Sequence, residues 1–585
     1  MHSSSKELTG YPSIDKPWLK YYTKEDLEIQ IPRCTIYKNI YDNNCNYPDD
    51  IAINYFGNKI SYGKLFQMVD VCAKSLLEVG IKKGDCVTLC TAGVPEAIYV
   101  VLACSRIGAI ANFINPLFAK EQMIDRINET EAKWIFILDE MYSYIEKALP
   151  NTCIENIVII PVTNAVSTIP AKVLYLKSKA RKIMKSKDEN KQKHILWNKF
   201  LSIGKVFNGK VDIEYEEGMP TVMVYSSGTT GASKGILLTN DGINATIANY
   251  QTSGFPYRRG DSFLQMIPIW FSTGIVLSIL MPLVQGIKVI PEPLFSKETF
   301  ANDLIKYKPN MTLAATSLWL YVIRSNETRD LNLSNMKYPI TGGEKVLPQD
   351  EKNMLNYLKY HGCKSKMIKG YGMCELGSTV STSNAADNYY EKGGGTGYPI
   401  LNVVVSAFDL NTDKELKYGE HGEIRVCSPA RMKGYYKNPQ ATAEFFKTDD
   451  KGNVWGCTGD IGYVDEDGEV FVLGRATDHF CRENGEVVYL FDIEEEIFKN
   501  EMVNQCKVVD IDENGETRLA AHIVLRSGDV DNVQLLNIIH KMLLEALPEY
   551  MVPDYYKIRK SMPVHANGKR DVEAIRGDRE DLITL

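Results

Sequence analysis

The chain has 585 residues, room for roughly four units of ~150 residues or for one large enzyme of several subdomains. Its composition, 44% hydrophobic and 24% charged, is that of a soluble globular protein and excludes a disordered or fibrous one. Sixty-seven Lys and Arg against 74 Asp and Glu leave a net charge of −7, without the basic excess of a nucleic-acid binder.

In chain order, the opening stretch MHSSSKELTGYPSIDKPW lacks the apolar run of a secretory signal. Gly63 to Val79 spaces its apolar residues as a helix does. A turn at Gly84-Asp85 precedes a short apolar strand, and GVPEAIYVVLACSRIGAI reads as a helix with Pro95 in its first turn and Gly108 near its end. This alternation over 60–116 recurs at 130–162, 221–252 and 262–292 and implies a parallel sheet covered by helices.

Between 164 and 210 the pattern breaks. Nine Lys or Arg fall between Lys172 and Lys193, interleaved with Val173, Leu174, Leu176, Ile183 and Met184. The segment reads as a solvated basic insertion, with an amphipathic helix touching a membrane surface as the alternative. The longest apolar run, Gly274 to Val284, is too short to span a bilayer. From about 396 the chain turns to short strands separated by Gly and Asp turns, and after a boundary near 475–480 a small α+β unit follows with a helix over 533–547. Thirteen cysteines without a C-x-x-C pair suit a reducing, cytoplasmic setting.

The chemistry is concentrated in TVMVYSSGTTGASKGILLTN, Thr221 to Asn240. A strand, Thr221–Tyr225, runs into a loop of Ser, Thr and Gly that contains Lys234. Glycines admit an anion close to the backbone, while N–H groups and hydroxyls donate to phosphate oxygens. The spacing is not that of a Walker A loop, because only two residues separate Gly231 from Lys234. A phosphate-handling loop is the reading, with a flexible linker as its bland counterpart.

YSSGTTGASKG resembles the signature loop of the adenylate-forming superfamily of acyl-CoA synthetases, peptide-synthetase adenylation domains and luciferases. TGGEKV (341–346) resembles its adenine-contacting turn and YGMCE (371–375) its aromatic-Gly-x-Thr-Glu element. GEIRVCSPARMKGYYKNPQATAEFF (422–446), TGD (458–460), GRATD (474–478) and PVHANGK (563–569) follow in family order.

The resemblance implies an α/β protein. A large N-terminal domain, 1–474, would hold two αβ-layered subdomains and a β-barrel-like one over about 396–474. A hinge at 475–478, with Thr477 and Asp478 as its residues, would lead to a small mobile α+β lid, 479–585. The implied reaction converts a carboxylic acid and ATP to acyl-AMP and pyrophosphate, then passes the acyl group to a thiol. Ser226, Ser227, Gly228, Thr229, Thr230, Gly231 and Lys234 would line the phosphates. Gly342, Gly343, Glu344, Tyr371, Gly372 and Cys374 would complete the nucleotide site. Asp460 would hold the ribose hydroxyls, Arg475 would lie beside ribose and phosphates, and Glu375 would ligate Mg²⁺. Lys569 would bridge carboxylate and α-phosphate, so that Lys569, Glu375 and Thr230 carry catalysis.

Departures from the family pattern are Ser233 for Pro in the loop, Cys374 for Thr, and Cys481 for Lys beyond the hinge, near the ENGE turn (483–486). Phe271 stands where amino-acid-activating relatives place an Asp and acyl-CoA synthetases often a His. An unpaired ammonium is costly to bury beside an aromatic ring. Trp270, Phe271, Ile275 and Gly343 therefore point to an apolar acid, fatty or aryl. With 16 residues after Lys569, the thiol is expected from outside the chain, as CoA. A stand-alone ligase loading a separate carrier protein is the alternative, and a degenerate nucleotide-binding protein the alternative of another class.

Overall fold

The computed structural model describes residues 8–166, 179–185, 192–226, 233–252, 254–255, 257–294, 296–344, 346–383, 394–481, 487–513, 516–526, 532–563 and 571–585. Strands Cys86–Cys90, Ile110–Phe113 and Trp134–Leu138 are buried on both faces. Apolar runs without alternation belong in a parallel sheet with both faces covered. These three lie mid-way in an eight-stranded sheet ordered Gly434–Tyr435, Gly235–Thr239, Pro220–Tyr225, Ile110–Phe113, Cys86–Cys90, Trp134–Leu138, Asn156–Ile160, Lys193–Leu196. From Pro220–Tyr225 onward in that order the pairs are parallel, and the two at the other end are antiparallel.

A second, nine-stranded sheet runs Tyr398–Pro399, Ser381–Thr382, Ile368–Tyr371, Tyr338–Gly342, Met311–Ala314, Ser262–Gln265, Lys288–Pro291, Ile51–Tyr55, Asn58–Ser61. Its interior is parallel and its ends antiparallel. One continuous apolar core passes through both sheets, from Val87 and Val222 to Ile53 and Val289.

The helices follow their sequence signals. Tyr62–Glu78 begins where the Ser61 side chain accepts from the Lys64 N–H, and it buries Leu65, Val69, Cys72 and Leu76 on one face. Pro95–Ile107 opens on the expected proline and ends at Gly108, whose φ of 75° lets its N–H reach the Cys104 carbonyl. That helix is buried all round except at Arg106, whose guanidinium pairs with Asp212 at 2.7 Å and Asp70 at 2.9 Å.

The β-rich stretch forms a five-stranded antiparallel sheet in which Val404–Phe408, Gly422–Cys427, Val454–Val464 and Phe446–Thr448 are neighbours and Val470–Arg475 pairs with Val454–Val464. Beyond the hairpin His479–Cys481/Val487–Tyr489, a three-stranded sheet of Val503–Glu513, Glu516–Leu525 and Tyr555–Arg559 has its own apolar cluster. Leu490, Ile493 and Ile497 of helix Leu490–Phe498 join Leu536 and Ile539 of helix Asn532–Ala546 there. Within the basic insertion, helix Lys179–Lys185 is described; Ala180 donates to the Asp139 carboxylate at 3.1 Å and Lys179 pairs with Glu140 at 2.5 Å. Most of 172–193 lies outside the described residues. Among the described residues no helix is long and apolar enough to cross a membrane.

Candidate functional site

Ligands of open parallel sheets bind at the carboxyl ends of the strands. Here two such edges face each other. Tyr225 and Ser226 end strand Pro220–Tyr225, and Phe113 and Asn115 end its parallel neighbour Ile110–Phe113. In the other sheet, Trp270 and Phe271 follow Ser262–Gln265, Gly343 follows Tyr338–Gly342, and Tyr371 ends Ile368–Tyr371. A cavity between the edges is lined by Phe113, Phe118, Tyr225, Ser226, Trp270 and Phe271, together with Asn115. Two of the expected acyl-pocket residues are thus brought together. Ile275 instead packs in the core within the π-helix Thr273–Leu280, and Gly343 sits in the turn beside Glu344; neither lines this cavity.

The phosphate-type loop is pinned at its base. Ser226 N–H donates to the Lys234 carbonyl at 3.0 Å, and Lys234 N–H donates to the Ser226 hydroxyl at 2.9 Å. Ser227, Gly228, Thr229, Thr230 and Gly231 lie outside the described residues, as do Lys569 and the ENGE turn. From Lys234 the geometry crosses to the other motifs. Its ammonium stands 5.1 Å from the centroid of the Tyr435 ring, and the Tyr435 hydroxyl donates to Glu375 Oε1 at 3.1 Å. Glu375 is buried, and its carbonyl accepts from Met432 N–H at 2.8 Å. Burial, and then the Glu375 carboxylate, raise the Tyr435 phenol far above its ordinary pKa, so it stays a donor.

Glu375 stands in a one-turn helix, Cys374–Leu376, which ends in two consecutive left-handed residues, Gly377 at φ 82° and Ser378 at φ 81°. This sharp return brings the Ser378 carbonyl to 2.1 Å from where a side chain on Gly372 would begin, so position 372 admits glycine alone. Gly342 is similarly confined, since a side chain there would begin 2.9 Å from the Gly370 carbonyl. Glu344 is held by the start of helix Thr316–Arg324, accepting from Ser317 N–H at 3.0 Å and from its hydroxyl at 3.3 Å.

The third group joins two sheets. Tyr371 O–H donates to Asp460 Oδ2 at 2.5 Å, and the Arg475 guanidinium meets Asp460 Oδ1 at 3.1 Å. Asp460 and Arg475 are direct partners across adjacent strands. Arg475 also donates to the Thr458 carbonyl at 3.0 Å, and the Thr458 hydroxyl accepts from Asp460 N–H at 3.0 Å. Beyond them, Asp478 is gripped by Lys507 at 2.6 Å, which also pairs with Glu494 at 3.0 Å, while Thr477 is exposed.

Tyr435, Ser317 and Asn115 are neighbours of the candidate site that sequence reading passes over, whereas Thr458 lies in the quoted TGD. Tyr435 lies inside the quoted block 422–446, yet spacing alone says nothing of its reach to Glu375, 60 residues away. Among the described residues there is no cluster of three or more His, Cys, Asp or Glu to cage a metal.

A family model described as AMP-binding enzyme matches residues 41–436. The chain is 26% identical over 565 residues to a long-chain-fatty-acid–CoA ligase of Bacillus subtilis (strain 168), covering 95% of this chain and 96% of that one. It is 25% identical over 459 residues to a 4-coumarate–CoA ligase of Vanilla planifolia, covering 77% of each. The ATP-bound MatB from Rhodopseudomonas palustris superposes with a TM-score of 0.76 at 20% identity, covering 94% of this chain and 99% of that one. A Mycobacterium tuberculosis fatty acyl CoA synthetase superposes with a TM-score of 0.68 at 18% identity, covering 93% and 97%.

Proposed function

The chain belongs to the AMP-binding enzyme family, and from that premise we propose that it activates an apolar carboxylic acid with ATP and transfers the acyl group to CoA. It is an AMP-forming acyl-CoA ligase. The observation that carries the reading is the arrangement at the facing sheet edges, where Lys234, Tyr435 and Glu375 form one group and Tyr371, Asp460 and Arg475 another.

A carboxylate is a poor electrophile, and its approach to the α-phosphate brings two anions together. Cationic and hydrogen-bond donors are needed where charge builds. Ser226 and Lys234, with Ser227, Thr229 and Thr230 of the loop, are assigned to the phosphates. Asp460 is assigned to the ribose hydroxyls, Gly342 to Glu344 to the adenine, and Arg475 to the ribose–phosphate side. Lys569 is assigned to neutralising the carboxylate and α-phosphate as they meet.

Glu375 suits Mg²⁺, a hard cation held by one or two carboxylates plus substrate phosphates rather than by an all-protein cage. When bound, the ion neutralises phosphate charge; Tyr435, donating to one carboxylate oxygen, fixes how Glu375 presents the other. The acid is assigned to the aromatic cluster at this edge, whose cavity of about 10 Å³ would have to open to admit it. Trp270, Phe271, Phe113 and Phe118 offer no charge partner for a substrate ammonium, which favours a fatty or aryl acid. The named relatives, ligases of long-chain fatty acids and of 4-coumarate, fall in those two classes.

The test is pyrophosphate release from ATP and Mg²⁺ across a panel of fatty and aryl acids, with and without CoA. Acid-dependent release that turns over only with CoA is expected and names the acid class. Single-turnover release that CoA leaves unchanged would assign the acceptor thiol to a separate carrier protein. No release with any acid would count against the ligase reading.

A further inference from the structure

The hydrogen bond from Tyr371 to Asp460 is placed where it can do more than tie two sheets together. Tyr371 closes a strand of the nine-stranded sheet, whereas Asp460 belongs to the long strand of the five-stranded sheet. A carboxylate has two oxygens and about four acceptor directions. At Asp460 each oxygen already has one donor: Tyr371 O–H on Oδ2 at 2.5 Å and Arg475 on Oδ1 at 3.1 Å. Two donors arriving from different elements stop the carboxylate from rotating about its terminal bond. The plane of the carboxylate is thereby set by the two sheets.

We infer that Tyr371 is a positioning residue whose hydroxyl orients the Asp460 carboxylate to accept from the hydroxyls of the nucleotide's ribose, so that it sets the preference for a ribonucleoside triphosphate over its deoxy forms. The inference rests on the adenylate-forming reading of Asp460. The phenol is suited to a constant donor's role, since burial, followed by the Asp460 charge, holds its pKa well above the ordinary value. Gly372, which tolerates no side chain, keeps the adjoining backbone in place.

The experiment compares wild type with Tyr371→Phe, which keeps the ring and removes only the hydroxyl, on ATP, 2′-deoxyATP and 3′-deoxyATP. Binding is measured by calorimetry and turnover by pyrophosphate release. Hydrogen bonds to charged groups are stronger than neutral ones, and aiming such a bond accounts for part of its worth. The variant should raise KM for ATP about 5- to 20-fold with kcat within about twofold, and leave KM for the acid unchanged. Its preference for ATP over at least one deoxy form should shrink by a similar factor.

The preference is a ratio within one preparation, so a fall in the folded fraction does not imitate it. A variant that keeps the wild-type preference would overturn the inference and leave the hydroxyl as a tie between sheets. If wild type itself binds all three nucleotides alike, the ribose assignment of Asp460 fails first and the inference falls with it.

Discussion

At the scale of single residues, Cys374 is a departure from its motif that can be tested directly. Cys374 stands beside the assigned metal ligand, half-buried, where the resemblance expects a Thr. A thiol is a weak donor, whereas a hydroxyl donates and accepts well. Cys374→Thr is therefore expected to raise the rate of acid-dependent pyrophosphate release by about 3- to 10-fold, the worth of one ordinary hydrogen bond of ~1 kcal/mol. An unchanged or lower rate would show that position 374 makes no phosphate contact. Glu375, Asp460 and Arg475 were legible as candidates because each sits in a short motif that resembles one of the family's. Tyr435 was not, because its role depends on a partner that the fold, rather than the spacing, brings near.

At the scale of elements, helix Pro95–Ile107 shows how a locally clear signal meets a tertiary constraint. Its start and stop follow from Pro95 and Gly108. Its burial on nearly every side includes Glu96, which has the Asn164 amide donating to Oε1 at 2.6 Å. Burial pushes the Glu96 carboxyl up to about 7 from 4.5. The folded state thus holds this proton more tightly than the unfolded state does, so the group disfavours folding increasingly as pH rises from about 4.5 through 7. Glu96→Gln keeps an acceptor for Asn164 and removes the ionisation. It should stabilise the protein above pH 7, by no more than about 3 kcal/mol, and give no gain near pH 4.5. Thermal melts of both forms across that range check the sign. The run Gly274 to Val284 behaved differently. Apolar but for Ser278, it carries no clear period to read, and the π-helical form of Thr273–Leu280 goes with the close packing of Gly274, where a side chain would begin 2.0 Å from the Pro268 carbonyl.

At the scale of the whole molecule, the described contacts of the C-terminal unit with the residues before it include the Phe491 ring against Gly474 and two ion pairs. Arg526 reaches Asp350 in the first turn of helix Pro348–Tyr360 at 3.1 Å, and Lys507 grips Asp478. On the proposed reading a small unit moves between the two steps, and ion pairs of this kind can be exchanged without dismantling a core. On the proposed reading, Lys569 serves only the first step. Lys569→Ala is expected to lower adenylation from free acid by at least 10²-fold, the scale on which a donor at developing charge acts. Thioester formation from supplied acyl-AMP should stay within about threefold of wild type. Equal losses in the two half-reactions would contradict the assignment.

The sequence by itself determined the order of the motifs, the strand–helix alternation, the caps of the main helices and the family to which they point. These are local properties, written in spacing and residue type over a few turns. The strand expected at Thr221–Tyr225 forms at Pro220–Tyr225, and the helix expected over 533–547 forms at Asn532–Ala546. Only the tertiary structure decided that Tyr371 reaches Asp460, that Tyr435 joins Lys234 to Glu375, and that Phe113 and Tyr225 face Trp270 across a cavity without Ile275. Such pairs are separated by tens to more than a hundred positions. Their meeting depends on how whole sheets pack on a shared core, where burial is non-directional and records no partner in the local pattern.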